Sequence, residues 1–103
     1  MSSEVAVHVL ITFRNTEATE PLKAYASEKI ANSIRKFSHQ DTEAHLVLIV
    51  EKKRHIAEVS LHMDGADFKV TEESNDLYAS IDALSHTLSQ QLRKHKEKLT
   101  KHS

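Results

Sequence analysis

The stretch Glu43–Val70, EAHLVLIVEKKRHIAEVSLHMDGADFKV, decides the fold. Its first segment, Glu43 to Lys52, contains Leu46-Val47-Leu48-Ile49-Val50. An unbroken aliphatic run of this kind, apolar on both faces, predicts a central strand. Lys52-Lys53-Arg54 is the polar break after it. From His55 to Asp64, Ala57, Val59, Leu61 and Met63 alternate with Glu58, Ser60 and His62, the period-two pattern of a half-exposed strand. Asp64-Gly65 then marks a tight turn, because both residues tolerate the left-handed backbone of a two-residue hairpin. Ala66, Phe68 and Val70 continue the alternation on the far side. Three strands in a meander follow from this stretch alone.

Working outward toward the N-terminus, Val5 to Phe13 places Val5, Val7, Val9, Ile11 and Phe13 on one face at a period of two, which predicts a first strand. Thr19 suits an N-cap, Glu20 suits the positive end of a helix, and Pro21 is tolerated in the first turn, where its missing N–H is not needed. Leu22, Ala26, Ile30, Ile34 and Phe37 then form one apolar stripe at helical spacing, predicting a helix that ends near residue 38. Toward the C-terminus, Asn75 or Ser74 is expected to cap a last helix with Asp76 in its first turn. Its stripe is Leu77, Ile81, Leu84, Leu88 and Leu92. If helical to about Lys98 it spans about 35 Å, longer than a typical strand, so its end should project past the sheet.

The predicted order is βαβββα, an α+β domain. Each helix has one apolar stripe and the sheet has one mainly apolar face. The economical packing is a four-stranded mixed sheet with two helices packed on one face, the arrangement also found in double-stranded-RNA-binding domains. The first two strands are then parallel, joined by a right-handed crossover, and a groove lies between the helices.

A chain of 103 residues is the size of one domain. With one glycine and one proline it has little room for a linker. No segment approaches the roughly 18 apolar residues of a membrane helix, and Met1 to Glu4 lacks the order of a signal peptide, so a cytoplasmic protein is expected. The absence of cysteine excludes disulfides, thiolate metal sites and a cysteine nucleophile. No nucleophile motif surrounds any serine, and a single glycine leaves no phosphate-binding loop, so catalysis is not expected. Eight histidines are scattered without a short ligand spacing such as H-E-x-x-H, so no metal or other cofactor is expected either.

Net charge is −1 with histidine neutral, but its distribution is uneven. From Arg93 onward Arg93, Lys94, Lys96, Lys98 and Lys101 face only Glu97, whereas acids gather in Asp64, Asp67, Glu72, Glu73 and Asp76. On a helical wheel Lys94, Lys98 and Lys101 form one flank of the last helix, extended backward by Thr87 and Gln90. Tyr25, Lys29, Asn32 and Lys36 form a similar line on the first helix. Two such flanks bordering one groove would make a positive track for phosphates, where Lys and Arg release counterions without reading bases. Lysines at this spacing equally describe a solvated helix surface. Lys52-Lys53-Arg54 is a second basic cluster, with an edge-protecting turn as its plain reading. Tyr78 could stack on a base or pack beside the apolar stripe. His86 and His95 could add charge below about pH 6.5 and give RNA binding a pH dependence.

These residues carry a resemblance. Asp76-Leu77-Tyr78-Ala79-Ser80-Ile81-Asp82-Ala83-Leu84, with Leu88, Gln91-Leu92 and Lys94-His95-Lys96-Glu97-Lys98-Leu99, resembles the signature of the ribosome-hibernation-factor (sigma-54 modulation) family. The stretch from Glu51 to His62 is similar too, and together with the element order the match covers essentially the whole chain.

The resemblance implies a stress or stationary-phase factor. Such a factor binds the decoding region and mRNA channel of the small ribosomal subunit, lays basic helix surfaces on ribosomal RNA, and sterically excludes messenger and tRNA. It implies Lys29, Lys36, Lys52, Lys53, Arg54, Tyr78, Gln90, Arg93, Lys94, Lys96, Lys98 and Lys101 as the RNA-binding set. It further implies one ribosome-binding domain over residues 1–103 without a C-terminal dimerisation domain, monomeric off the ribosome. The dimer-promoting short subtype, acting with a separate ribosome modulation factor where one exists, is the better match. Thr87 and Gln90 stand where the family usually has Lys and Arg, removing two charges from the middle of the flank. The alternative from the fold is a generic double-stranded-RNA binder; a plain protein-interaction domain is the reading if no RNA is bound.

Overall fold

A computed structural model describes residues 5–100 of the chain. The elements are β1 (Val7–Arg14), α1 (Glu20–Arg35), β2 (Thr42–Glu51), β3 (Arg54–Met63), β4 (Ala66–Ser74) and α2 (Leu77–Thr100), in the expected βαβββα order. The strands lie side by side as β1-β2-β3-β4. β1 runs parallel to β2, with Val9 opposite Ala44 and Ile11 opposite Leu46, and the other pairs are antiparallel.

Local chemistry sets the boundaries. Thr19 is extended, with φ −80° and ψ 150°, and its hydroxyl accepts from the Leu22 N–H at 3.4 Å, capping α1 as expected. At α2 the cap is Asp76 rather than Asn75 or Ser74. Its carboxylate accepts from the Ala79 N–H at 2.9 Å and its carbonyl from the Ser80 N–H at 3.0 Å. A carboxylate at this position adds its charge to the positive helix end, an advantage that serine and asparagine lack. In the β3–β4 turn Asp64 and Gly65 have φ of 54° and 77°, the paired left-handed geometry of a tight hairpin.

The core lies between the sheet and both helices. Leu22, Ala26, Ile30 and Ile34 of α1 and Leu77, Ile81, Leu84, Leu88 and Leu92 of α2 are buried against Leu46, Leu48, Val59 and Leu61 of the sheet. α1 covers β1, while α2 covers β3 and β4. The opposite sheet face has no covering element among the described residues. Val47 and Ile49 on β2 are therefore half-buried rather than enclosed, although β2 is a central strand as expected. The reason is the element inventory: both helices are needed to cover one side, and none remains for the other.

Candidate nucleic-acid interface

The two helices run parallel, since contacts advance along both together. Tyr25 meets Tyr78 and Asp82, and Ser33 meets Ser85 and Ser89. At the upper end of this seam the Tyr25 hydroxyl donates to Asp82, which also pairs with Lys29 at 3.5 Å. The Asp82 carboxylate holds the phenol proton and so raises the Tyr25 pKa above its ordinary value. Tyr78 packs edge-on against Tyr25 with ring centroids 5.0 Å apart and still leaves 43 % of itself exposed. Packing and availability for stacking thus coexist in one side chain.

Lower down, three serines replace larger side chains. The Ser33 Oγ lies 2.6 Å from the Ser85 Oγ and 3.0 Å from that of Ser89. Small hydroxyl side chains satisfy one another and leave a trough above them. The trough, about 470 Å³, is lined by Lys29, Asn32, Ser33, Arg35, Lys36 and Ser85. Arg35 is oriented by donation to Asn32 at 2.7 Å. Arg93, exposed and one turn beyond Ser89, continues the α1-facing edge of α2.

The Lys94–Lys98 flank takes a different direction. Thr87, which begins that line, donates to Glu72 of β4 at 2.6 Å, so the flank runs along the side of α2 turned away from α1. The two helix flanks therefore do not border one groove. Gln90, Arg93 and Lys94 instead share a depression of about 350 Å³ on the outer surface, with Gln91 and Glu97. Arg93 lies between the trough and the Lys94–Lys98 flank. Lys101 lies outside the described residues.

The remaining candidates separate by partner and by place. Lys96 binds Asp64 at 2.7 Å and ties α2 to the β3–β4 turn. Arg54 binds both carboxylate oxygens of Glu73 at 2.9 Å, which holds Glu73 below the usual carboxylate range. Lys52 and Lys53 form the β2–β3 tip. That tip shares an end with the start of α2, where the Ser80 hydroxyl donates to the His55 carbonyl at 2.6 Å. The tip is therefore at the opposite end from Lys94 and Lys98 in a molecule 48 Å long. Among the described residues Lys36, Lys52, Lys53, Arg93, Lys94 and Lys98 make no ion pair. His95 turns inward, edge-on to Phe68 at 5.2 Å with its Nε2 buried, which leaves exposed His86 as the solvent-facing member of that pair.

Sequence reasoning missed Arg35 and the serine seam. The available signal was Asp82, Ser85 and Ser89 at i, i+3 and i+7, a small polar line beside the apolar stripe that marks the edge of α2 approaching its neighbour.

The Asp64–Lys96 pair gives a testable pH dependence. The Lys96 hydrogen bond lowers the Asp64 pKa, so the stability it adds is present above the ordinary aspartate range near pH 4 and is lost as pH falls through the lower folded value. Asp64→Asn keeps a residue tolerant of positive φ and removes the charge. The variant should be less stable than wild type at pH 7 by up to about 1 kcal/mol, with the difference shrinking at a pH well below the ordinary aspartate range. Urea unfolding at both pH values measures this, and a difference independent of pH would contradict it.

Sequence and fold place the chain in a class of known proteins. Residues 9–100 match the model of the sigma 54 modulation protein / S30EA ribosomal protein family, and the chain belongs to that family. Among its relatives, the ribosome hibernation promoting factor of Escherichia coli is 37 % identical over 92 residues, covering 89 % of this chain and 96 % of that protein. The protein of the same name from Pseudomonas putida is 39 % identical over 94 residues, covering 89 % of each. The Thermus thermophilus Protein Y N-terminal domain superposes with a TM-score of 0.77 at 30 % identity, covering 88 % of this chain and 99 % of that one. A ribosomal subunit interface protein from Coxiella burnetii shares the fold, with a TM-score of 0.77 at 23 % identity over 87 % of this chain and 98 % of its own.

Proposed function

We propose that this chain is a ribosome hibernation factor that acts by occupancy, without chemistry. It binds the small subunit at the decoding region and mRNA channel, excludes messenger and tRNA, and promotes ribosome dimers together with a modulation factor where one is present. The observation that carries the reading is near-complete overlap with relatives named ribosome hibernation promoting factor, at 37 % identity over 96 % of the Escherichia coli protein.

The geometry supplies a surface suited to it. Lys29, Arg35 and Lys36 line the trough, Arg93 continues it, and Lys94 and Lys98 extend it outward. A locally cationic face on a chain of net charge −1 directs one side of the molecule to a polyanion. Tyr78 stacks on an unpaired base or ribose at the trough's upper end. Gln90 contacts RNA as a neutral donor where the family usually carries a charge. Lys52 and Lys53 meet RNA at the other end of the molecule, while Arg54 and Lys96 contribute by fixing the turn and the helix that present their neighbours.

Co-sedimentation of the purified chain with small subunits at near-physiological salt, with excess short RNA duplex as competitor, tests this. The chain should travel with the subunit and ignore the duplex. Displacement by duplex would favour the generic double-stranded-RNA binder, and a chain left at the top of the gradient would defeat the ribosome reading.

A further inference from the structure

The two outer strands of the sheet differ in how their edges are protected. β4 carries Asp67, Lys69, Glu72 and Glu73, the charges by which proteins commonly block edge pairing. β1 has no Asp, Glu, Lys or Arg from Val7 to Phe13, and neither glycine nor proline. Val7, Val9, Ile11 and Phe13 are only half-buried although they belong to the core face, and Leu10 on the other face is 54 % exposed.

The hydrogen-bond parity of β1 is also fixed. The Thr42 N–H donates to the Ala6 carbonyl at 3.0 Å, and the parallel register pairs Val7 with Thr42. Even-numbered residues of β1 therefore bond to β2. Odd-numbered Val7, Val9, Ile11 and Phe13 direct their N–H and C=O groups to the outer edge, where no strand among the described residues pairs with them.

We propose that the free edge of β1 pairs antiparallel with β1 of a second copy of this chain, with Leu10 on the two-fold axis. In that register Val9 faces Ile11 of the other copy and Val7 faces Phe13, each as a hydrogen-bonded pair, as the parity of the edge requires. Leu10 meets Leu10 as a non-hydrogen-bonded pair, the closer kind, and His8 meets Thr12. Apolar residues oppose apolar residues on the core face, and no two like-charged residues face each other within Val7–Phe13. Self-complementarity is what selects a second copy over an unrelated extended peptide, since an isologous contact must match its own sequence read backward. The joined sheet would end in a charged β4 on each side, so pairing closes at two copies and does not propagate. This departs from the monomer expected off the ribosome, and it is independent of what the helices bind.

The test uses the absence of native cysteine. Sedimentation equilibrium of the full chain should show the mass rising from 11.7 kDa toward twice that value as concentration is raised to about 1 mM. Leu10→Lys replaces a side chain already exposed in the monomer and sets like charges on the axis. It should keep the wild-type circular dichroism and remain at the monomer mass. Leu10→Cys should form a covalent dimer on mild oxidation, because directly opposed Cβ atoms come within disulfide range. Lys69→Cys, on the protected edge strand, should not. A wild-type chain that stays monomeric throughout overturns the proposal. So does a Leu10→Lys dimer as tight as wild type, or a Leu10→Cys yield no greater than that of Lys69→Cys.

Discussion

Replacing Lys36 and Arg93 together with glutamate should weaken binding to small ribosomal subunits at least about tenfold at near-physiological salt and reduce the slope of log affinity against log salt by about two. The two residues belong to different helix surfaces, Lys36 lining the trough as the C-cap of α1 and Arg93 continuing the facing edge of α2, and neither has an ion-pair partner among the described residues. Their charge is therefore available to a phosphate without first breaking a bridge, unlike that of Arg54 on Glu73 or Lys29 on Asp82. Both side chains are exposed, so the variant should fold as wild type does, and circular dichroism checks this. Lys52→Glu/Lys53→Glu probes the opposite end of the molecule separately, and effects at such distance should add in free energy. Wild-type affinity and salt slope in the Lys36→Glu/Arg93→Glu variant would remove the trough from the ribosome-facing surface.

The element order was legible because each segment shows a single period. The Leu46–Val50 run, the alternation from Ala57 to Met63 and the leucine stripe of α2 each specify one kind of element, and the Asp64-Gly65 turn fixes the register between β3 and β4. Boundaries were less legible. Val5 to Phe13 shifts to Val7–Arg14, the span that pairs with β2, and the α2 cap moves to Asp76 because several neighbouring residues have capping chemistry and only backbone geometry chooses among them. The candidate surface was legible in composition but not in direction. A wheel shows Lys94 and Lys98 on one side of the apolar stripe and Arg93 on the other, but which side meets α1 depends on long-range packing. Thr87 on Glu72 and Ser85 on Ser33 settle it, and they pair residues 15 and 52 positions apart, a relation absent from any local pattern.

Leu84→Ala should cost about 2–5 kcal/mol of folding stability. Leu84 is fully buried in the core, on the helix that packs on α1, β3 and β4, so truncating it leaves a cavity in a close-packed interior. A domain of this size has a total stability of about 5–15 kcal/mol, so the loss is a large share of it. At about 4–8 °C per kcal/mol the melting temperature should fall by roughly 8–40 °C. Leu10→Ala is the matched control: it removes the same atoms from a position 54 % exposed, and in dilute solution it should change stability by no more than about 0.5 kcal/mol. Urea and thermal unfolding of the two variants measure the contrast, and a Leu84→Ala loss below about 1 kcal/mol would mean that the α2 stripe is not packed as described. Below its own melting temperature Leu84→Ala should still bind subunits with wild-type salt slope, because the cavity removes no surface charge. Stability and affinity should then fail separately in the two sets of variants, because the side chains that pack α2 into the core and the cations along its exposed edge are different residues.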